Sequence, residues 1–527
     1  MKRLILCNDG TWNSPTQEDN GILAPTNVVK LYHALAEEDR EGHMQTSYYH
    51  PGVGAEGHAL DRITGGAVGT GISKHLRSAY QWLATHYTPG DAIYIFGFSR
   101  GAFTARSLGG WLGRGLLDLR EVPSKAAWQR VDAAYLAYQQ YTAREEDKRV
   151  WARDADFDGV PTWRFFHGEE ATPVRFIGVW DTVGALGVPD DFELLNLFDN
   201  GKKWRFHNTA LGKHVRTARH AMALDEIRAS FTVTRWSNAA GSPDQHPDAQ
   251  EVWFPGVHSN VGGGYANTDL SDGALLWMLE QAKDAGLVFR PGIENTLHPN
   301  PLGVLHNSYK GAFAKMRSRP RKIEAMVPDQ QARFHDSART RQAASPIAYP
   351  AYHRTVELAV NGSHTVDIHA DTVWNTTGVY LAAGQRYTFA ATGEWQDSKD
   401  ACDWRGTENG DFTFGDLARA VGSLGGHLED LVKRITGNAS SDFWFTKRVE
   451  SYPWFSLVGA IANDSGDDSI VPNDGSPDPH EYLNLPAHTQ VPFQVTRPGY
   501  LFCFANDVWA LYGNNHGSVR LTITRVA

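Results

Sequence analysis

An apolar run, Ile93–Phe98, leads directly into Gly97–Gly101, which has the form Gly-x-Ser-x-Gly, and small residues follow as at a helix start. A serine in this strand–turn–helix context predicts a nucleophile elbow. The turn is so tight that the positions two before and two after the serine have no room for a side chain, which only glycine tolerates. The alternative is a glycine-flanked turn of an ordinary doubly wound sheet. The motif therefore favours Ser99 as a catalytic nucleophile at the carboxyl edge of a parallel sheet.

The first 300 or so residues alternate short apolar runs with segments of helical periodicity. The predicted strands are Arg3–Cys7, Ala92–Phe98, Val174–Trp180, Ser230–Trp236 and Val252–Val257. Helices are predicted over Ser73–Tyr87 and Ser271–Ala285, where apolar residues recur at helical spacing. Such alternation predicts an α/β domain, 1–350, with a mostly parallel sheet and helices on both faces. A charged, aromatic-rich stretch at about 120–165 is predicted to be a helical insertion.

Residues 351–527 follow a different pattern, with short strands separated by Gly, Asn and Asp turns. Examples are the apolar runs that begin at Gly378, Arg386, Trp454, Pro492 and Val519. This pattern predicts a second domain that is an antiparallel β-sandwich. Phe412–Ile435 is predicted to be helical within an insertion at about 405–450.

Composition limits the partners and the cellular compartment. The net charge of −10, without a Lys/Arg block, argues against a nucleic-acid partner. Cys7, Cys402 and Cys503 are too far apart for a metal motif and fit folding in a reducing cytoplasm, with a Cys402–Cys503 disulfide left open. The first apolar run, Leu4–Cys7, is too short for a signal peptide, and no stretch approaches the length of a transmembrane segment. We expect a protein made in the cytoplasm and exported, if at all, without the usual signal.

A serine nucleophile needs a base, and the base needs an orienting carboxylate. In sheets of this class the acid and then the histidine follow the serine, each just beyond a strand end. Asp181 is the first residue after the strand ending at Trp180, and His258 follows the apolar run that ends at Val257. We therefore predict that Ser99 attacks, His258 acts as the base and Asp181 orients the imidazole.

Other residues compete for these roles. An aspartate after a strand is often only a helix cap, and Asp225 is the reserve acid. His50, His58 and His220 are alternative bases. His258 is preferred because it lies at a strand end and precedes a glycine run that allows close backbone approach.

The first strand ends in Asp9–Asn13. An aspartate-based phosphotransferase would have its nucleophile where this chain has Cys7, so that reading fails. The backbone N–H groups of Gly10, Thr11 and Arg100 are instead predicted to form an oxyanion hole.

A glycine-rich segment, Gly52–Gly57, lies further along the chain. It is unlike a phosphate loop, because it lacks Gly-Lys-Ser/Thr. We predict that Gly52 and Gly54 line the mouth of the substrate pocket.

Four motifs together, Asp9–Asn13, Gly97–Ala102, Val179–Val183 and Gly256–Gly264, resemble the α/β-hydrolase domain of type VI secretion phospholipase effectors, the Tle1-like lipase family. The resemblance covers roughly residues 1–345. It implies an α/β-hydrolase fold, a Ser-Asp-His triad that needs no cofactor, and hydrolysis of phospholipid acyl esters. It also implies a secretion apparatus and an immunity protein as partners.

The segment Asn506–Ser518 resembles the calcium loop of the bacterial galactose-binding PA-I lectin. The resemblance implies calcium bound by Asp507, the carbonyl of Leu511, Asn514 and Asn515, with a galactose-type sugar completing the shell at Asn515. A further ligand of that family falls near residues 395–397. Hard oxygen ligands of this kind suit calcium.

The sequence thus favours a serine esterase acting on lipid acyl esters and joined to a lectin-like targeting domain. The alternatives are a carbohydrate-binding or structural protein on a hydrolase scaffold, and an esterase for acylated glycans.

Overall fold

The structure, a computed structural model, describes residues 1–11, 13–52, 66–141, 164–167, 170–184, 211–236, 246–311, 317–344, 352, 354–397, 400–407, 447–466, 479–509 and 512–527. The N-terminal part alternates strands and helices. In chain order these are β1 (Arg3–Asn8), β2 (Glu18–Asp19), β3 (Ile22–Leu23), α1 (Asn27–Ala34), β4 (Gln45–His50), α2 (Gly66–His86), β5 (Ala92–Phe98), α3 (Arg100–Leu112), α4 (Ser124–Tyr141), β6 (Val174–Trp180), β7 (Val215–Ala223), β8 (Ala249–Phe254), α5 (His258–Gly262), α6 (Asp269–Asp284) and α7 (Asp336–Ala343).

Within these described residues, six strands form one sheet in the order β4-β1-β5-β6-β7-β8, and every neighbouring pair is parallel. One face is covered by α2, α3 and α4, whose buried residues include Leu76, Tyr80, Leu108 and Trp111. The other is covered by α1 and α6, with Val28, Leu31, Leu275 and Met278 in its core. The predicted α/β fold with helices on both faces is confirmed. In this arrangement the carboxyl ends of all six strands lie along one edge, where parallel sheets place their sites.

One predicted strand is wrong. Ser230–Trp236 is irregular apart from a short 3-10 turn at Ala229–Phe231, and the place beside β6 is taken by β7, Val215–Ala223. The edge strand β4 was also not predicted. The sequence of β7 is rich in Ala and Arg, so its burial comes from its neighbours and not from a β-branched run.

The predicted insertions are only partly described. Helix α4 lies inside the 120–165 stretch, as expected, whereas residues 142–163 lie outside the described residues. The predicted helix Phe412–Ile435 and the residues just before the predicted domain boundary at 350 lie outside them as well.

The C-terminal part consists of short strands. They are β9 (Ser363–His369), β10 (Asn375–Leu381), β11 (Arg386–Thr392), β12 (Glu394–Asp397), β13 (Asp400–Asp403), β14 (Leu457–Ile461), β15 (Glu481–Asn484), β16 (Phe493–Gln494), β17 (Gly499–Ala505) and β18 (Asn515–Arg525). One antiparallel sheet has the order β10-β17-β14-β15, and the other has the order β13-β12-β18-β11-β16, with β9 also paired to β18. Side chains of both sheets share one core, including Leu457, Leu501, Phe389 and Leu521. This confirms the predicted β-sandwich.

Two further expectations concern cysteines and membrane helices. Cys7, Cys402 and Cys503 are all free, so the Cys402–Cys503 disulfide does not form. Across the described ranges, no helix combines the length and apolar character needed to cross a membrane.

Candidate active site

Ser99 stands on a sharp turn between β5 and α3. Its backbone angles are φ 57° and ψ −124°, a conformation that L-residues rarely adopt. A Cβ added to Gly97 would lie 2.4 Å from the carbonyl oxygen of Gly101, and one added to Gly101 would lie 2.2 Å from that of Asn8. Both glycines are therefore required by close backbone contacts. The elbow geometry expected from the motif is present.

Asp181 and His258 meet at the same edge of the sheet. Asp181 follows β6 with φ 37°, and its Oδ2 accepts a hydrogen bond from His258 Nδ1 at 2.6 Å. The carboxylate is wholly buried and His258 is 4% exposed. Because the bond fixes the proton on Nδ1, Nε2 carries the free lone pair.

The imidazole of His258 lies between two aromatic rings. The ring centroids of Phe98 and Phe231 are 4.5 Å and 5.0 Å from it. Phe98 directly precedes Ser99, so the serine is near the imidazole. Ser99 Oγ and His258 Nε2 nevertheless share no hydrogen bond in the part of the chain that the structure describes, as is common without substrate. The structure thus pairs Asp181 with His258 and places Ser99 on the neighbouring strand end.

Arg321 is a site residue that the sequence did not reveal. Its Nη1 and Nη2 donate to the two oxygens of Asp181 at 2.6 Å and 2.9 Å, a forked geometry that makes a strong pair. Burial acts to raise the pKa of Asp181, but the charge of Arg321 and the bond from His258 hold that pKa well below its usual range. The carboxylate is therefore ionised and fixed. In the sequence Arg321 lies among serine, proline and other basic residues at 317–322, and nothing in that stretch points to the active site.

A second buried ion pair supports His258 from its backbone side. Glu226 Oε2 accepts the His258 N–H at 3.2 Å, and the same carboxylate binds Arg228 at 2.8 Å. Burial lowers the pKa of His258, opposed by Asp181 and assisted by the charge of Arg228. The imidazole is consequently neutral at neutral pH, the form a general base requires.

The predicted oxyanion loop lies against Ser99. A Cβ added to Gly10 would be 3.1 Å from Ser99 Cβ. The Gly10 N–H, however, donates to Asp9 Oδ1 at 2.8 Å, and burial raises the pKa of Asp9 to about 6. Arg100 is the first residue of α3, and Thr11, three residues after the end of β1, is buried. The Gly10 amide would have to leave Asp9 in order to bind an oxyanion.

Of the two predicted pocket glycines, Gly52 is described and Gly54 lies outside the described residues. A Cβ on Gly52 would come within 1.6 Å of the Gly10 carbonyl oxygen, and the Gly52 N–H donates to Asn13 O at 3.0 Å. Gly52 thus packs on the Gly10 loop and fixes its position.

The alternative bases are placed less favourably. His50 ends β4, which β1 and β5 separate from β6. His220 accepts the Thr182 N–H at 3.1 Å and contacts Glu251 at 3.3 Å, so both of its ring nitrogens are engaged. His58 lies outside the described residues.

The reserve acid has a structural role. Asp225 Oδ2 accepts the Gly256 N–H at 2.6 Å and also the hydroxyl of Tyr352. It makes no contact with the imidazole of His258 among the hydrogen bonds of the described chain.

The segment Asn506–Ser518 brings a second cluster of side-chain oxygens together. Asp507 is 1% exposed, and its Oδ2 accepts from Asn515 Nδ2 at 3.0 Å. Asn514 Nδ2 donates to Asp397 at 2.6 Å, and Asp397 is paired with Asn515 across β12 and β18. Burial and the charge of Asp397 raise the pKa of Asp507 to about 6.

Two buried oxygens of this cluster lack partners. Asn514 Oδ1 and Asn515 Oδ1 have no hydrogen-bond partner in the described structure. Two carboxylates beside two orphaned amide oxygens are a donor set that fits calcium. The predicted ligand Leu511 lies outside the described residues.

Comparison with known protein families gives a match over more than half of the chain. Residues 2–281 match the family described as "T6SS, Phospholipase effector Tle1-like, catalytic domain". An uncharacterized protein of Saccharomyces cerevisiae is 32% identical over 252 residues, which are 44% of this chain and 32% of that protein. The matched part of the chain thus spans about a third of the length of that relative.

Three solved structures have low similarity to the chain. An uncharacterized protein from Pseudomonas aeruginosa is 19% identical with a TM-score of 0.36, over 57% of this chain and 49% of that one. The Tle1 effector bound to the VgrG spike from the Type 6 secretion system is 16% identical with a TM-score of 0.32, over 57% and 76%. A PllA-like lectin, the N-terminal domain of EclA, is 14% identical with a TM-score of 0.16, over 31% and 95%.

Proposed function

The chain belongs to the family of type VI secretion phospholipase effectors with a Tle1-like catalytic domain, and on this premise we propose that it is a serine esterase that hydrolyses acyl esters of phospholipids. The observation that carries the proposal is the 2.6 Å bond between His258 Nδ1 and Asp181, formed beside the strained turn that holds Ser99. Nucleophile, orienting acid and base then follow one another along the chain in the order typical of this class of sheet.

In the proposed reaction, His258 Nε2 takes the proton of Ser99 as Oγ attacks the acyl carbonyl. Asp181 holds the imidazole in the required tautomer and stabilises the imidazolium that forms. The protonated imidazole then gives its proton to the departing lysophospholipid oxygen, which leaves an acyl-serine. Water, activated by the same imidazole, releases the fatty acid and restores Ser99.

The developing oxyanion is proposed to lie at the N-terminus of α3. The Arg100 and Thr11 amides are the donors there, joined by Gly10 once Asp9 releases it. The supporting observation is the contact of the Gly10 loop with Ser99 Cβ. Preorganised N–H donors of this kind are often the largest single contribution to acyl transfer.

The β-sandwich is proposed to bind calcium through Asp507, Asn514, Asn515 and the carbonyl of Leu511, with Asp397 beside them. The support is the pair of orphaned amide oxygens next to two carboxylates. A bound calcium would hold vicinal hydroxyls of a galactose-type sugar, with Asn515 at the sugar, and would take no part in ester hydrolysis. This domain would then attach the enzyme to glycan-bearing surfaces.

The family description also suggests partners and a destination. A phospholipase effector made in the cytoplasm must reach its target membrane, so we propose that a secretion apparatus carries it. An immunity protein is expected to protect the producing cell.

The test is a panel of esters assayed with wild type, Ser99→Ala and Ser107→Ala. The panel holds phosphatidylcholine, phosphatidylethanolamine and phosphatidylglycerol vesicles, p-nitrophenyl butyrate and an acetylated galactoside. Ser107 is a matched control, because it is a buried serine of α3 whose Oγ has no hydrogen-bond partner among the described residues.

We expect phospholipid hydrolysis by wild type and Ser107→Ala, and a loss on the order of 10³-fold or more in Ser99→Ala. Preference for the acetylated galactoside would instead favour the glycan esterase. No cleavage of any ester by the folded wild type, or retention of more than about a tenth of the activity by Ser99→Ala, would refute the serine mechanism.

A further inference from the structure

A segment with no regular secondary structure, residues 317–326, lies between the α/β part and the β-sandwich. We call it the strap. On the α/β side it pairs with the loop after β7, where the Ala229 N–H donates to Arg317 O at 3.2 Å and the Arg319 N–H donates to Ile227 O at 2.6 Å. The strap is thus fixed beside the candidate active site.

The strap delivers Arg321 to the buried carboxylate of Asp181. The two side chains are 3% and 0% exposed. Beyond its fork on Asp181, the guanidinium donates to the carbonyl oxygens of Ala223 and of Phe231, the latter at 2.7 Å. Phe231 in turn packs against the imidazole of His258. Arg321 therefore contacts Asp181 directly. It also contacts the backbone of Phe231, one of the two residues whose aromatic rings enclose the imidazole of His258.

The β-sandwich holds the other side of the same strap. His480, which is 2% exposed, donates from Nε2 to Pro320 O at 2.7 Å. Trp374 Nε1 donates to Ser318 Oγ at 3.0 Å, and Tyr500 OH accepts the Met326 N–H at 2.8 Å.

An ion pair between Arg319 and Asp464 adds a further link from the sandwich, on the second residue before Arg321. Contacts from the sandwich thus bracket Arg321 on both sides along the chain.

We propose that Arg321 is a positioning residue for the catalytic acid, and that the β-sandwich keeps it in place through the strap, so that the C-terminal domain acts on catalysis as well as on attachment. This inference rests on the proposed esterase function of Ser99, Asp181 and His258.

The proposal has a consequence for acid–base behaviour. Asp181 and Arg321 together carry no net charge, so the positive charge of Arg321 offsets the negative charge that Asp181 presents to His258. Among the described residues, Glu226 and Arg228 also act on His258 and form their own pair, His220 interacts with the charge of Asp181, and Asp225 interacts with that of Arg321. Removing the guanidinium would strengthen proton binding by the Asp181–His258 couple, because a positive charge is lost. The active, unprotonated base would then appear only at higher pH.

The test compares wild type with Arg321→Gln and Arg321→Lys, using p-nitrophenyl butyrate as a soluble substrate and a fluorophosphonate as a label for Ser99. The folded fraction of each variant is measured first by circular dichroism, since loss of one partner of a buried ion pair is strongly destabilising. Lysine keeps the charge but loses the fork, so it serves as the second variant.

For Arg321→Gln we expect kcat/KM per folded molecule to fall about 100-fold. We also expect the acid limb of its pH profile, where kcat/KM rises with pH, to move up by about one pH unit. For Arg321→Lys we expect a loss of about 10-fold and an acid limb close to that of wild type. An unchanged acid limb and unchanged kcat/KM per folded Arg321→Gln molecule would show that the pair is only structural. Failure of Ser99 to react with the fluorophosphonate in wild type would refute the proposed function instead.

The contribution of the sandwich is tested with Tyr500→Phe against Tyr452→Phe. Tyr500→Phe removes the hydroxyl that accepts the Met326 N–H of the strap. Tyr452 is the control, because its hydroxyl donates to Tyr482 O at 3.0 Å within the sandwich. We expect Tyr500→Phe to lower kcat about threefold or more with KM unchanged, because the soluble ester binds only at the catalytic edge. Equal kinetics in the two variants would refute coupling through the strap.

Discussion

The substitution Asp181→Asn replaces a carboxylate that accepts hydrogen bonds on both oxygens. Oδ1 accepts from the Ala223 N–H at 2.8 Å and from Arg321 Nη1 at 2.6 Å. Oδ2 accepts from His258 Nδ1 at 2.6 Å and from Arg321 Nη2 at 2.9 Å. Whichever oxygen the amide nitrogen replaces, it faces two donors. An amide nitrogen at Oδ1 loses both hydrogen bonds, whereas one at Oδ2 loses that from Arg321 and meets the Nδ1 proton of His258. In either orientation Arg321 loses its counter-charge.

Two effects follow, and each has a magnitude. Removing one partner of a buried ion pair costs about 3–5 kcal/mol of the free energy of unfolding. If the amide nitrogen faces His258, Nδ1 must become an acceptor, and the ring proton moves to Nε2, where the base is needed. A comparable tautomer error in serine proteases costs about 10⁴-fold in kcat. We expect kcat/KM of Asp181→Asn to fall by about 10³- to 10⁴-fold.

The assay is the kcat/KM for p-nitrophenyl butyrate per folded molecule, with urea denaturation to measure the free energy of unfolding. Asp225→Asn is the matched control, because Asp225 is a half-buried carboxyl after β7 that also accepts a backbone N–H. It should lose stability but keep kcat/KM within about 10-fold. More than a tenth of the wild-type kcat/KM in folded Asp181→Asn, or an equal loss in the control, would refute the reasoning.

Four further predictions concern the elbow, the base and the calcium cluster. Ser99→Ala and His258→Ala should each lower kcat/KM by about 10³-fold or more, with little extra loss in the double variant, because triad members act as a unit; additive losses in steady-state kinetics would contradict this. Gly101→Ala brings a Cβ to 2.2 Å from the Asn8 carbonyl oxygen, so we expect a lower melting temperature and slower fluorophosphonate labelling, and wild-type values of both would count against the close contact. Calcium should release heat on binding to wild type but not to Asp507→Ala, and chelation should leave hydrolysis of a soluble ester unchanged; calorimetry without a difference between the two proteins would exclude the site. Burial raises the pKa of Asp507 to about 6, so without calcium its contribution makes the folded state less stable as pH rises toward and through that value. Calcium needs the ionised carboxylate, and the rise in Tm that it causes should therefore grow between about pH 5 and 7; a gain in Tm independent of pH would contradict the assignment.

The strands that carry the site could be predicted because they are continuous apolar runs. β5 and β6 are buried along nearly their whole length, as strands of a covered parallel sheet are. β7 could not be predicted in this way. Arg219 within it is only 7% exposed, and its guanidinium meets Asp248 at 2.8 Å. A buried arginine with a distant partner looks like a surface residue in the sequence alone.

Some features of the candidate site could be predicted from the sequence in the same way, and others could not. The meeting of Asp181 and His258 could be predicted, since the carboxyl ends of parallel strands share one edge. Arg321 comes from irregular chain beyond α6, where no periodicity assigns it a neighbour. The bond from the Gly10 N–H to Asp9 is a local turn interaction of the kind that aspartate side chains make, and it changes the state of a predicted oxyanion donor.

The strap also bears on how this chain could exchange its C-terminal fold during evolution. Domains joined by a linker that few contacts cross can be traded as units. Here a replacement module would have to offer new donors and acceptors in place of His480, Trp374 and Tyr500. Recombination at residue 281, where the family match ends, would exchange Arg321 together with the C-terminal part of the chain. The α/β half would then inherit a buried Asp181 without its cation, so we expect the two folds to be inherited as a pair.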